Sequence, residues 1–136
     1  MTERTAEEWG RVAVSLLGWR WMPGMLTNVG RLCQKTRTPL SRGNVALYLP
    51  GGGSPGRGLW PCPDDPATAG CLLALLGPTP SEGYMAHVLP PSSTVTKWRV
   101  HMNTAHTGPL SAYGSTLGRA CIAAAEALGR WPGGAA

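Results

Sequence analysis

Acidic residues are scarce in this sequence, which has two Asp and five Glu against twelve Lys and Arg, for a formal net charge of +5. So few carboxylates exclude a protein that imitates the phosphate backbone of DNA. The positive charge instead favours anionic partners such as nucleotides, nucleic acids or acidic protein surfaces. Many ordinary soluble proteins carry a similar charge, so a preference for anions has to be traced to particular residues.

Metal-ligand spacing and long apolar runs are missing as well. Cys33, Cys62, Cys71 and Cys121 are the four cysteines, and no two of them are two or three residues apart, which excludes a zinc-knuckle motif. The longest apolar run, near Cys71, is far shorter than the ~20 residues that span a bilayer. Residues 1–5 are polar and indicate no signal peptide. We therefore expect reduced thiols, no bound metal, no membrane and a cytoplasmic location.

Catalytic signatures are also lacking. The chain has no G-x-S-x-G nucleophile motif, and the Gly- and Pro-rich segment 50–58 lacks the Lys and the following helix of a Walker loop. His87, His101 and His106 are the available proton-transfer or metal-binding groups, but no carboxylate lies near them in sequence to complete a metal site. We predict a non-enzymatic protein without a cofactor, and a hydrolase that uses one of these histidines is the open alternative.

The chain does contain enough apolar material for one core. Hydrophobic residues make up 43% of the 136 positions, while 19 Gly and 13 Pro indicate many turns between short elements. This composition predicts a single domain over residues 1–136. We expect a flexible loop at 50–58 and a frayed tail at 130–136.

Three helices are predicted from their start signals and apolar spacing. The first begins with a capping box from Thr5 to Glu8, and its apolar stripe extends to Leu17. The second has Asp65 as its N-cap, and the third covers about 117–128. Alternating patterns predict strands at 18–22, 30–38, 44–49, 84–89 and 94–102. We expect an α+β fold with a mainly antiparallel sheet of about five to six strands and three helices, in the order helix, strands, helix, strands, helix.

The last predicted strand carries a row of basic side chains. Lys97, Arg99 and His101 alternate with apolar residues, so they project from one side of an extended segment. Cations at alternate positions suit phosphate groups, and a tryptophan at the edge can stack on a base. A solvated sheet face is the competing interpretation. The predicted ligand-binding residues are Lys97, Arg99, His101, Arg37, Lys35 and Trp60, with Arg31, Trp19 and Trp21 as further candidates.

Two segments, LGWRWMPGM at 17–25 and DPATAGCLLALL at 65–76, resemble a family of small uncharacterised bacteriophage proteins. The segments WRV at 98–100 and EAL at 126–128 fit the same layout less specifically. The family has no settled activity, so the resemblance assigns no functional residues. It implies a small phage accessory protein, and such proteins commonly act on host machinery, including host defences.

This context gives the functional prediction. We expect a counter-defence protein in the host bacterial cytoplasm that captures an anionic nucleotide-type ligand. The alternative is a protein-protein inhibitor of a host defence enzyme such as a CRISPR-type nuclease complex, and weak, shape-tolerant nucleic-acid binding is a third hypothesis. A homodimer or higher homo-oligomer is expected, because three helices on one sheet leave a sheet face open.

Overall fold

The computed structural model describes residues 3–36, 45–49, 58–77, 85–104 and 108–134. The helices are α1 (Ala6–Ser15), α2 (Pro66–Leu76) and α3 (Leu117–Leu128), and a 3-10 turn follows at Pro132–Gly134. The strands are β1 (Leu26–Thr27), β2 (Gly30–Arg31), β3 (Cys33–Thr36), β4 (Val45–Tyr48), β5 (Met85–Leu89), β6 (Trp98–Thr104) and β7 (Gly108–Gly114). The α+β class and the predicted order of helices and strands are confirmed.

The strands form three small antiparallel sheets rather than one main sheet. β1 pairs with β2, β3 pairs with β4, and the third sheet has the order β5-β6-β7. Five of the strands have four or more residues, in line with the five to six expected. Segment 18–22, predicted as a strand, is not one in the structure. The rings of Trp19 and Trp21 in this segment pack edge to face with centroids 5.1 Å apart.

Helix starts follow the predicted side-chain caps. Thr5 Oγ1 accepts a hydrogen bond from the Glu8 backbone N–H at 3.2 Å, and Glu8 Oε1 accepts one from the Thr5 N–H at 3.1 Å. Asp65 caps α2 by accepting from the Thr68 N–H at 2.9 Å. These contacts satisfy backbone donors that have no partner within the helix. α1 ends at Ser15, so Leu17 lies beyond the helix and is exposed.

The three-stranded sheet packs one face against α3. Val100 and Met102 of β6 are fully buried on this side, opposite the small residues Ala120 and Ala124 of the helix. Small side chains let the helix approach the sheet closely, and close packing excludes water from the apolar interface. The other face of the sheet therefore carries the alternate residues of each strand.

Trp131 and Pro132 are buried in the core, which differs from the frayed tail expected from residue 130. Trp131 is fully buried, and its Nε1 donates to the Ala13 carbonyl at 2.9 Å. Its backbone N–H donates to the Leu17 carbonyl at 2.8 Å. The predicted loop at 50–58 lies outside the described residues except for Gly58. Within the described ranges, no helix is long and apolar enough to cross a membrane.

Candidate anion-binding site

The sheet face away from α3 holds two cross-strand rows of side chains, and we call it the open face. The first row is Leu89, Arg99 and Tyr113, and the second is His87, His101 and Ser111. Residues directly opposite in antiparallel strands share a face, so each row lies on the same side as Arg99. Within β6, Arg99 and His101 lie on the open face, and Val100 and Met102 are buried on the other side.

A groove of about 230 Å³ lies at the end of the open face where β5 turns into β6. Two residues of the first row, Leu89 and Arg99, line it together with the connecting loop. The lining residues of the loop are Pro90, Ser92, Val95 and Lys97. Three hydrogen bonds hold the loop. Ser92 N–H donates to the Val95 carbonyl at 2.7 Å, Val95 N–H donates to Ser92 Oγ at 3.1 Å, and the Ser92 and Thr94 hydroxyl oxygens lie 3.3 Å apart. The loop therefore forms a shaped wall beside the two cations.

Arg99 differs from the structural arginines in having no carboxylate partner among the described residues. Arg31 and Arg119 each make two hydrogen bonds to a single aspartate, whereas the buried Nε of Arg99 has no hydrogen-bond partner in the described part of the chain. The other two such atoms are indole nitrogens of Trp9 and Trp19, which pack in or against the core. A buried polar atom without a partner costs about 1–3 kcal/mol, so a ligand that accepts from Arg99 gains a real advantage.

The charged side chains of the three-stranded sheet and its connecting loop are all basic. Residues 85–114 contain Lys97, Arg99 and three histidines but no Asp or Glu. The described carboxylates are bound elsewhere, for example Asp65 to Arg31 and Glu126 to Arg4. Cations that lack a neighbouring carboxylate attract anions rather than metal ions.

The histidine row is polar and well defined. His101 Nδ1 lies 3.0 Å from Ser111 Oγ, and the ring centroids of His87 and His101 are 6.5 Å apart with their planes at 38°. His106 lies outside the described residues. Within the described ranges, no group of three or more His, Cys, Asp or Glu side chains is placed to hold a metal ion.

The structure brings together only part of the predicted site. Arg99 and His101 share the open face. Lys97 precedes β6, which begins at Trp98 rather than at residue 94 as predicted, and it lines the groove with Arg99. Lys35 belongs to β3, in a different sheet, and Arg37 lies outside the described residues.

The predicted tryptophans lie elsewhere. A Cβ added at Gly10 of α1 would stand 3.0 Å from the ring of Trp60, so Trp60 packs on the helical side of the fold and does not line the groove. Trp19 packs with its centroid 5.9 Å from that of Trp131, at the core. These positions of Trp60 and Trp19 do not support the prediction of a tryptophan beside the basic row, because both rings make apolar contacts elsewhere.

Tyr113 is the aromatic residue that the sequence-based prediction missed. It is directly opposite Arg99 in the register of β6 and β7 and is 47% exposed. The alternation of Tyr113 with the small residues Ala112 and Gly114 was a signal for an outward position. Which strand it pairs with, and at which register, depends on the fold.

No protein-family model, curated protein or solved structure matches this chain. We therefore infer function from the residues of the open face and the groove alone. The phage resemblance stays a prediction from the two sequence segments.

Proposed function

We propose that the protein is a non-enzymatic binding protein that captures a small anionic, nucleotide-type ligand at the groove of the open face. In the phage setting expected from the sequence, such capture serves counter-defence by removing a host signal molecule. Arg99 and Lys97 supply the positive charge, and the Ser92 hydroxyl lies in the same wall. Planar guanidinium groups hold phosphates through paired hydrogen bonds, which suits Arg99 to this role.

The observation that carries the proposal is the buried Nε of Arg99, which has no partner among the described residues and lies beside a groove whose described lining holds no carboxylate. Structural arginines in this protein are neutralised by Asp or Glu, as Arg119 is by Asp64 at 2.9 Å. An arginine in a purely structural role would be expected to show a similar partner, because a buried polar atom without a hydrogen bond is costly. A phosphate in the groove that Arg99 lines supplies the missing negative charge.

Isothermal titration calorimetry with cyclic nucleotides and ADP-ribose-type nucleotides tests the proposal. We expect binding to the native protein and a loss of about tenfold or more in affinity for Arg99→Gln, because a hydrogen bond to a charged group contributes ~1.5–3 kcal/mol. Arg20→Gln is the matched control, since Arg20 is exposed and outside the groove and its replacement removes the same net charge. The proposal is wrong if the native protein shows no binding at micromolar protein concentration, or if both variants weaken binding equally.

A second candidate function, inhibition of a host defence enzyme by protein-protein contact, is favoured by apolar exposure on the same face. Leu89 (41%), Val95 (45%) and Tyr113 (47%) are all exposed near the groove. Exposed apolar clusters are typical of protein interfaces. A nuclease assay with a purified CRISPR-type complex tests this candidate, and Tyr113→Glu should abolish any inhibition. The same surface suits the expected homodimer, which light scattering measures directly.

A further inference from the structure

We propose that the captured ligand is a nucleotide whose base stacks on Tyr113 while its phosphate is held by Arg99 and Lys97, an inference that rests on the proposed function. Tyr113 and Arg99 are directly opposite in the register of β7 and β6. Side chains in such a pair have Cβ atoms about 4.5–5.5 Å apart. A phosphate and a ring joined by one sugar can therefore meet both side chains at once.

Tyr113 has a free ring on a fixed backbone. Its neighbours Ala112 and Gly114 are buried, and a Cβ added at Gly114 would stand 2.8 Å from the carbonyl carbon of Arg119 at the start of α3. The strand therefore has no room to shift toward the helix. In the described part of the chain no other ring packs on Tyr113. Tyrosine supplies a rigid, flat contact surface at a small loss of side-chain entropy.

Apolar side chains flank Arg99 on both sides, which an inorganic anion does not require. Leu89 is its partner on β5 and Tyr113 its partner on β7, and Val95 stands across the groove. Inorganic phosphate would contact the guanidinium and leave these surfaces in water. A nucleotide presents a charged end and an apolar ring, so it can use the cation and its apolar neighbours together.

The size of the groove decides which part of the ligand enters it. Its volume of about 230 Å³ is smaller than the ~300–1,000 Å³ of pockets that enclose a drug-sized ligand. We assign the phosphate and the sugar to the groove, next to Lys97 and Arg99. The base then extends across the strand and lies on Tyr113.

Calorimetric titrations with adenosine 5′-monophosphate, ribose 5-phosphate and adenosine test the assignment. We expect the nucleotide to bind the native protein about tenfold more tightly than ribose 5-phosphate, because the sugar phosphate lacks the stacking base. Tyr113→Leu should bring this affinity ratio close to one, and Tyr113→Trp should preserve it. Arg99→Gln should weaken the binding of both phosphates. Val29→Ala, which shortens an exposed apolar residue in the β1–β2 turn, should change neither affinity.

The outcomes separate the inference from the proposed function. Equal binding of the two phosphates, or a ratio that persists in Tyr113→Leu, overturns the stacking assignment and leaves anion capture intact. If the affinity ratio of nucleotide to ribose 5-phosphate falls in Val95→Ser but not in Tyr113→Leu, the base lies in the groove. That result also overturns the stacking assignment. If neither phosphate binds at millimolar concentration, the proposed function itself fails. Circular dichroism checks the fold of each variant, and Tyr113→Thr replaces Tyr113→Leu if the latter does not fold.

Discussion

Asp65 provides a quantitative test of how the fold is held together, because one carboxylate joins three segments. It accepts from Arg31 Nη2 and Nη1 at 2.9 and 3.0 Å, and from the Thr68 N–H and hydroxyl at 2.9 and 3.0 Å. Thr68 Oγ1 in turn accepts from the Leu26 N–H at 2.8 Å. The hydrogen bonds from Arg31 lower the pKa of Asp65 from 3.8 to about 2.

We expect Asp65→Asn to reduce the free energy of unfolding by about 1–2 kcal/mol at pH 7. A pKa lowered by this amount corresponds to at most about 2.5 kcal/mol at 1.36 kcal/mol per unit. The side chain of Asp65 is 11% exposed, but that of Arg31 is 45% exposed, so solvent screening reduces the gain. Asparagine is as good an N-cap as aspartate, so the substitution removes the charge and keeps the helix cap.

The sign of the pH dependence follows from the direction of the shift. Because the folded-state pKa of Asp65 is lowered, the stabilisation is present above the ordinary pKa near 4 and is lost as the pH falls toward 2. The difference between the native protein and Asp65→Asn should therefore fall to about half at pH 3. Urea unfolding followed by tryptophan fluorescence at pH 7, 5, 4 and 3 measures this difference.

Glu7→Gln is the matched control for the loss of one carboxylate. Glu7 pairs with Arg11 at 2.9 Å, but both side chains are more than half exposed, so the expected effect is below about 0.5 kcal/mol. A difference between the native protein and Asp65→Asn that stays constant from pH 7 to pH 3 would refute the reasoning. An effect of Glu7→Gln as large as that of Asp65→Asn would refute it too.

Two further predictions concern packing and are measured by urea unfolding. Gly118→Ala should destabilise the protein by about 3 kcal/mol or prevent folding, because the added Cβ would overlap the Pro63 carbonyl. Gly70 of α2 is exposed and has open space around it, so Gly70→Ala should stabilise the protein by about 1 kcal/mol. Similar effects of the two substitutions would contradict this placement of α3. Trp131→Ala should cost about 3–5 kcal/mol, since the ring is fully buried and donates to Ala13; a loss under 1 kcal/mol would argue against a core position.

Local signals predicted the helices and the faces of β6 from the sequence. The caps at Thr5 and Asp65 depend on side chains within three residues of the helix start, so they can be read without knowledge of the fold. The alternation that separates Arg99 from Val100 is likewise a property of one strand. Such features are set by neighbours along the chain.

Features set by distant residues could not be predicted in this way. Tyr113 lies opposite Arg99 only because of the register between β6 and β7. Trp131 near the C-terminus packs in the core and donates a hydrogen bond to the Ala13 carbonyl, which is far away in sequence. Trp60 was predicted to stack on a base at the edge of the basic row, but in the structure it packs against α1. The spacing of apolar residues along the sequence does not determine which element of the fold an aromatic side chain packs against.

The close approach of α3 to β7 has a consequence for recognition at the open face. At Gly114 the helix and the strand are spaced by backbone atoms, since an added Cβ would stand 2.8 Å from the Arg119 carbonyl carbon. Backbone contacts cannot relax by changing rotamers as contacts between long side chains do. The backbone that carries Arg99 and Tyr113 is thus preorganised. Binding therefore costs mainly the conformational entropy of the ligand, and the protein loses little more.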